Sequence, residues 1–236
     1  MKYVTVKSYE ELSKMAADIV ADVVAAKPDC VIGLATGSSP VGLYNCLADY
    51  CKSGKLDFSK VKSVNLDEYE GLPNDNEQSY RYFMNENLFS KINIDINNTH
   101  FPDGCAEDLV AEGKKYDELI ESLGGTDVQV LGIGVDGHIG FNEPDDVFTL
   151  ETHPVVLDES TIEANARFFE SIDDVPRHAI TMGIGAIMAA KKIVLVANGA
   201  NKKEIMEKAF FGPIDPKVQA SILQVHPDVT VIYSEV

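Results

Sequence analysis

The segment Gly132-Ile133-Gly134-Val135-Asp136-Gly137-His138-Ile139-Gly140-Phe141-Asn142-Glu143-Pro144 gathers more reactive side chains than any other in the sequence. His138 has Asp136 two positions before it and Glu143 five after, so two carboxylates can orient one imidazole and favour its protonated form. Such a group is a general acid/base near neutral pH. The glycines at 132, 134 and 137 allow backbone turns that other residues resist. A hydrogen-bonded structural histidine is the plainer alternative. A metal held by Asp136, His138 and Glu143 is conceivable, but no HExxH or comparable ligand spacing accompanies them, and no metal is expected.

Two further segments carry donors and acids. In Asn65-Leu66-Asp67-Glu68-Tyr69 an apolar run delivers adjacent acids, whose side chains point opposite ways on a strand. One can face a cleft while the other faces the scaffold, and a desolvated cleft carboxylate could abstract a carbon-bound proton. A pair of solvated acids is the alternative. In Thr36-Gly37-Ser38-Ser39-Pro40-Val41-Gly42, small residues would let a phosphate reach backbone N–H groups at a helix N-terminus, with hydroxyls as added donors. An ordinary strand-to-helix turn reads the same way. The loop is neither a Walker A motif nor a GxGxxG fingerprint, which disfavours nucleotides. Cations for an anionic ligand are available at Arg167, flanked by apolar residues in Asn165-Ala166-Arg167-Phe168-Phe169, and at Lys202, which opens a helix after Asn198-Gly199-Ala200-Asn201. Lys203 beside it is the natural surface residue.

Regular elements must place these groups. Ser8 and Glu11 form a capping-box pattern, and Leu12, Met15, Ala16, Ile19 and Val23 follow at helical spacing until Pro28. Residues 30–35 form a continuous apolar run, expected as a strand buried on both faces, and Pro40 suits a first helical position. Residues 61–66, 128–133, 179–182, 193–197 and 229–233 read as further strands, and 78–89, 106–123 and 202–210 as helices. This alternation predicts a largely parallel sheet covered by helices on both faces, with ligands beyond the carboxyl ends of its strands. No repeat, low-complexity tract or linker divides the chain, so residues 1–236 are expected to form a single domain. The polar, less regular stretch 145–177 is a candidate lid.

Of the 236 residues, 45% are hydrophobic and 25% charged, and mean hydropathy is −0.06, values of a globular chain with ample core. Lys and Arg number 20 against 38 Asp and Glu, a net charge of −18. That field repels nucleic acids and anionic membranes, so neither is an expected partner, and any small anionic substrate needs locally placed donors. There is no signal-peptide pattern and no apolar run of membrane-spanning length, and a cytoplasmic location is expected. Cys30, Cys46, Cys51 and Cys105 show no CxxC spacing and are expected to be incidental thiols.

Taken together, TGSSPVGLY, NLDEYEGL with QSY, GIGVDGHIGFNEP, NARFF and LQVHPDVTVI closely resemble the glucosamine-6-phosphate deaminase family, in that family's order and from about Val31 to Tyr233. The resemblance implies a Rossmann-like three-layer α/β sandwich with a mostly parallel central sheet. It implies conversion of glucosamine 6-phosphate and water to fructose 6-phosphate and ammonia, without metal or organic cofactor. By position it makes Asp67 the base that moves the C2 proton toward C1, and His138 the ring-opening acid/base held by Asp136 and Glu143. Ser38, Arg167 and Lys202 fall where the family binds the sugar phosphate, with Thr36, Gly37 and Ser39 completing the loop. Members controlled by N-acetylglucosamine 6-phosphate use basic residues after the Asn-Glu-Pro motif and a longer C-terminal tail. Here residues 145–153 contain no Lys or Arg and the sequence ends at Val236, so an unregulated, short, monomeric form is expected. Val135 and Gly140 also depart from residues often seen beside the catalytic histidine, without removing a needed chemical group. A 6-phosphogluconolactonase-like hydrolase and a non-catalytic sugar-phosphate sensor are the competing readings. Lactone hydrolysis gives an enolising Asp67 no role, and a sensor could have lost the acid/base groups that are all present.

Overall fold

Most strands of this chain carry apolar side chains on both faces, and the computed structural model, which describes residues 1–236 apart from the side chain of Phe168, shows where each face goes. The first half contains β1 (Lys2–Val6), α1 (Tyr9–Ala26), β2 (Val31–Leu34), α2 (Val41–Lys52), β3 (Lys62–Asn65), β4 (Asp67–Tyr69), α3 (Tyr80–Asn87) and β5 (Thr99–His100). The second contains α4 (Leu109–Ser122), β6 (Val128–Leu131), β7 (His153–Val156), α5 (Glu159–Asn165), β8 (His178–Thr181), α6 (Ile184–Met188), β9 (Ile193–Asn198), α7 (Lys203–Phe211) and β10 (Val229–Ser234).

Seven strands form one parallel sheet in the order β1-β10-β9-β6-β2-β3-β5. On one face Ile32, Leu34, Val128, Val130, Val194 and Val196 pack against α1 and α2 through residues such as Leu12, Ala16, Val20, Leu43 and Leu47. On the other, Val31, Leu131, Ile193 and Leu195 meet Tyr116 and Ile120 of α4, Ile184 and Ile187 of α6, and Met206 and Phe210 of α7. Residue parity therefore assigns each side chain to one of two cores, which makes the expected three-layer sandwich. The chain leaves β2 in one direction across the sheet and β6 in the other, so their carboxyl ends flank the crevice where the strand order reverses.

Several boundaries and one pairing differ from expectation. Residues 179–182 are expected among the buried strands of a largely parallel sheet, but β8 lies in a separate antiparallel sheet, β4-β8-β7, registered through Asp67↔Thr181 and Val155↔Ala179. A run as short as Ala179-Ile180-Thr181-Met182 carries no information on strand direction. At Leu66 the chain bonds to both sheets, its N–H donating to Leu34 O at 3.2 Å and its carbonyl accepting from Met182 N at 2.6 Å. This junction delivers Asp67 away from the main sheet into the crevice. Pro40 precedes α2 rather than starting it, and Lys202 sits in a short 3-10 turn immediately before α7. The capping box is displaced: Ser8 Oγ accepts from Glu11 N at 3.2 Å as expected, but Glu11 reaches back to Lys7 N. The edge strand β1 had no sequence expectation. The stretch 145–177 includes β7 and α5 among its turns.

The strand that leads to Asp67 is fixed from behind by Tyr116, 1% exposed, whose hydroxyl donates to Asn65 O at 2.7 Å. Tyr116→Phe leaves that buried carbonyl short of its closest donor, and unfolding in urea should show a loss of about 1–3 kcal/mol.

Candidate functional site

A cleft of about 750 Å³ opens over the carboxyl ends of β2 and β6. Thr36–Ser39, Asp67, Gly132–Val135, His138, Gly140, Arg167 and Lys202 all line it, so residues scattered from 36 to 202 meet in one place. Asp136 and Glu143 stand behind His138 rather than on the cleft wall.

The loop after β6 is shaped around the histidine. Gly134 N donates to His138 O at 2.9 Å, Gly137 N to Gly134 O at 3.2 Å, and His138 N to Asp136 Oδ1 at 3.1 Å. A Cβ on Gly134 would collide with the imidazole and with Asp136, so only glycine fits there. His138 Nδ1 lies 2.8 Å from Asp136 Oδ1 and 3.2 Å from Glu143 Oε2, close to both but aligned for a hydrogen bond with neither. Burial alone would lower the imidazole's pKa, but the two carboxylates outweigh it and push it up to about 10. Burial would likewise raise Asp136, yet His138 holds it well below the usual carboxylate range. These three groups bring one donor atom each within 4.8 Å of one another, the closest approach to an ion-binding cluster among the described residues. A protonated His138 leaves the three groups with one net negative charge.

Asp67 faces the cleft from β4 and is 5% exposed. Burial raises its carboxyl to about 8, the neighbouring Glu68 adds to the rise, and His138 opposes it. Glu68 turns into the scaffold, as strand alternation requires. Room beside Asp67 depends on Gly140: its φ is +60°, and a Cβ there would lie 2.9 Å from Thr181 Oγ1 and 3.5 Å from Asp67 Oδ2. Asn142, which had no assigned role, staples the histidine loop to the end of β8 by donating to Ile139 O at 2.8 Å and Met182 O at 2.9 Å.

The expected anion donors converge, with one correction. The N–H groups of Val41 and Gly42 at the start of α2 are occupied by Ser38 O at 3.4 Å and the Tyr9 hydroxyl at 2.8 Å. The helix terminus is therefore not an open donor set there. Instead Arg167 Nη2 donates to Ser38 Oγ at 3.3 Å across the cleft, and Lys202 Nζ donates to Ile133 O at 2.7 Å from the opposite wall. Burial lowers the Lys202 ammonium, Asp136 opposes that, and Arg167 adds to it. Gly199, with φ at +107°, makes the turn that brings Lys202 back over the cleft.

An aromatic wall was not foreseen. Tyr69 and Tyr80 lie 4.7 Å apart, Tyr80 stacks on Phe141 at 5.8 Å, and Asn165 Nδ2 donates to Tyr69 Oη at 2.9 Å. Tyr80 and Phe141 fall inside the motifs quoted above, but nothing local to them signals that they face a cleft. Among the described residues no helix is long and apolar enough to cross a membrane.

Known proteins resemble this chain along nearly its whole length. Residues 6–231 match the model of a family described as glucosamine-6-phosphate isomerases/6-phosphogluconolactonase. A glucosamine-6-phosphate deaminase of Lachnoclostridium phytofermentans is 60% identical over 98% of both chains, and one of Clostridium perfringens is 54% identical over 100% of this chain and 97% of its own. The solved structure of a monomeric glucosamine-6-phosphate deaminase superposes with a TM-score of 0.97 at 46% identity, covering 99% of this chain and 97% of that one. A 6-phosphogluconolactonase from Shewanella baltica shares the fold, with a TM-score of 0.77 at 19% identity over 100% and 98% of the two chains.

Because the folded-state pKa of His138 is raised from 6.5 to about 10, its pairing stabilises the fold fully below the lower value and is lost as pH climbs through the higher. Asp136→Asn should move the imidazole's titration, followed by NMR, back toward its ordinary range and flatten the decline of Tm across that window.

Proposed function

Because the chain belongs to the family of glucosamine-6-phosphate isomerases and 6-phosphogluconolactonases, we propose that its cleft converts D-glucosamine 6-phosphate and water to D-fructose 6-phosphate and ammonia. The observation that carries this reading is the pairing, in one cleft, of a carboxylate-held imidazole with a separate buried acid, Asp67, whose pKa lies near the pH at which a base must work. The full-length identity to deaminases supports it.

The closed pyranose has no carbonyl to acidify the C2–H bond, so the ring opens first. His138 gives a proton to the ring oxygen and regains one from the anomeric hydroxyl, leaving an aldehyde at C1. Asp67 then takes the C2 proton while O1 gains the proton that the substrate's ammonium gives up, forming an enolamine, and Asp67 returns its proton to C1, which moves the double bond to C2 as an iminium. Water adds at C2 and ammonia leaves, giving the ketone. Asp136 and Glu143 hold the imidazole and set its charge. Ser38, Arg167 and Lys202 bind the phosphate, with Thr36, Gly37 and Ser39 shaping the loop. Residues 145–177 act as a lid, a reading supported by the contacts of Asn165 and Arg167 with opposite walls of the cleft. A lactonase would leave Asp67 idle.

The near-superposition on a monomeric deaminase supports a monomer, and the absence of Lys and Arg from residues 145–153 supports indifference to N-acetylglucosamine 6-phosphate. The enzyme acts in the cytoplasm on a small sugar phosphate. Light scattering should return a mass near 25.8 kDa; a multiple of it overturns the monomer.

Coupled detection of ammonia and fructose 6-phosphate tests the reaction directly, and release of both in equal amounts is expected with EDTA present. Asp67→Asn should lower kcat by about 10²–10⁴ while substrate still binds; loss of binding instead would place Asp67 in the scaffold. In the wild type, kcat/KM should rise through about pH 8 as Asp67 ionises and fall through about 10 as His138 loses its proton.

A further inference from the structure

Glu68 is an acid with 1% of its surface exposed, one residue from the base and on the opposite face of β4. Its Oε1 accepts from the N–H groups of Tyr69 and Tyr80, both at 2.9 Å, and its Oε2 accepts from Arg81 N at 3.0 Å. Tyr80 and Arg81 are the first two residues of α3, and the next N–H, Tyr82, goes to the hydroxyl of the capping residue Ser79 at 3.1 Å. A carboxylate from a neighbouring strand thus occupies donors that helices leave unpaired, where the helix dipole also favours negative charge. A Cβ on Gly104 would collide with Tyr69 O and lie 3.4 Å from Glu68 Cγ, so the loop at Gly104 closes the carboxylate in from its other side.

Resting on the deaminase reading of the cleft, we propose that Glu68 is a positioning residue for the enolisation step: it ties α3 and the cleft-facing Tyr80 to the strand that carries Asp67, and it holds a second negative charge beside that base. Tyr80 lines the cleft and stacks on Phe141, so the tie fixes the wall against which the sugar rests. The carboxylate form is the one that suits the site, because a protonated oxygen would face backbone N–H groups that need an acceptor.

Glu68 raises Asp67, and His138 opposes it. Burial pushes the Glu68 carboxyl up on balance; the three N–H groups pull against it, and the Arg81 guanidinium adds a smaller pull downward. Arg81 itself donates to Thr99 O at 3.0 Å and lies over the Phe101 ring, so it does not close an ion pair with Glu68. Cys105, on the loop beyond Gly104, feels the same negative charge. Around Asp67 the other ionisable groups are His138, which lowers it, and the hydroxyls of Tyr44, Tyr69, Tyr80 and Tyr116, all raised above their ordinary range and neutral at working pH.

The test is the pH dependence of kcat/KM and kcat in Glu68→Gln, with Ser79→Ala as a companion that loosens the same helix turn and leaves the charge in place. In E68Q the rising limb should move to lower pH by about half a unit or more, with kcat at least about threefold lower and KM nearly unchanged. In S79A stability should fall and the limb should stay at the wild-type pH. If E68Q loses stability like S79A but keeps the wild-type limb and kcat, Glu68 is scaffold only and the proposal fails. Should E68Q not fold, Glu68→Asp decides: the shorter carboxylate cannot reach both α3 donors, so kcat should fall at least about threefold at the wild-type limb, and an unchanged kcat overturns the proposal. A wild type that releases no ammonia would instead overturn the deaminase reading.

Discussion

A charged imidazole enclosed by protein is stable only where opposite charge is built in beside it, and the loop after β6 supplies that charge from both sides, with Asp136 and Glu143 within 3.2 Å of His138 Nδ1. The rest of the site is arranged around this cluster. Gly134 vacates the space the ring fills, Asn142 anchors the loop to the second sheet, and Asp158 N donates to Glu143 Oε1 at 3.3 Å from the start of α5. Because the carboxylates lie behind the ring, their charge is spent on the histidine and the opposite ring edge is left to the cleft. The parallel sheet contributes the platform, since only at the reversal between β2 and β6 do two loops leave side by side with their carboxyl ends facing the same opening.

The overall charge of −18 makes phosphate recognition a local problem. Arg167 and Lys202 both line the cleft, Arg167 donating to Ser38 Oγ and Lys202 to Ile133 O. Burial works against the Lys202 ammonium, so a phosphate arriving in the cleft would relieve part of that cost. Long-range repulsion by the acidic surface is screened over roughly 8–10 Å at physiological salt, whereas contacts inside the cleft are not. Three or four well-placed donors can therefore outweigh a much larger distant charge.

What could be read from the sequence was what depends on neighbours in the chain. His138 and its two carboxylates lie within eight positions, Asp67 and Glu68 are separated by strand alternation, and the apolar runs at β2, β6, β9 and β10 announce strands buried on both faces. What could not be read depends on partners far along the chain. Arg167 meets Ser38 across 129 positions, Asn165 meets Tyr69 across 96, and the Tyr9 hydroxyl takes the Gly42 N–H that local reasoning had left open for phosphate. The antiparallel pairing of β8 belongs with these, because a short segment such as Ala179-Ile180-Thr181 suits either sheet. The aromatic wall is of the same kind: Tyr69, Tyr80 and Phe141 come from a strand, a helix and a loop, and only their packing shows that they share a face.

In the proposed mechanism, Asp67 and Asp136 show how one fold can give opposite duties to the same functional group. Asp67 and Asp136 are both largely withdrawn from water, and burial pushes both upward. Asp136 has His138 Nδ1 at 2.8 Å, which overrides burial and holds its carboxyl well below the usual range. Asp67 has no cation at such range and has Glu68 as its neighbour, so burial prevails and it is poised near pH 8, where it can both take and return a proton. Exchanging the two environments would leave a base too weak to abstract a proton from carbon and a histidine without its charge. The division of labour therefore follows from placement: one carboxylate on a junction strand beside another acid, the other in the histidine's own loop.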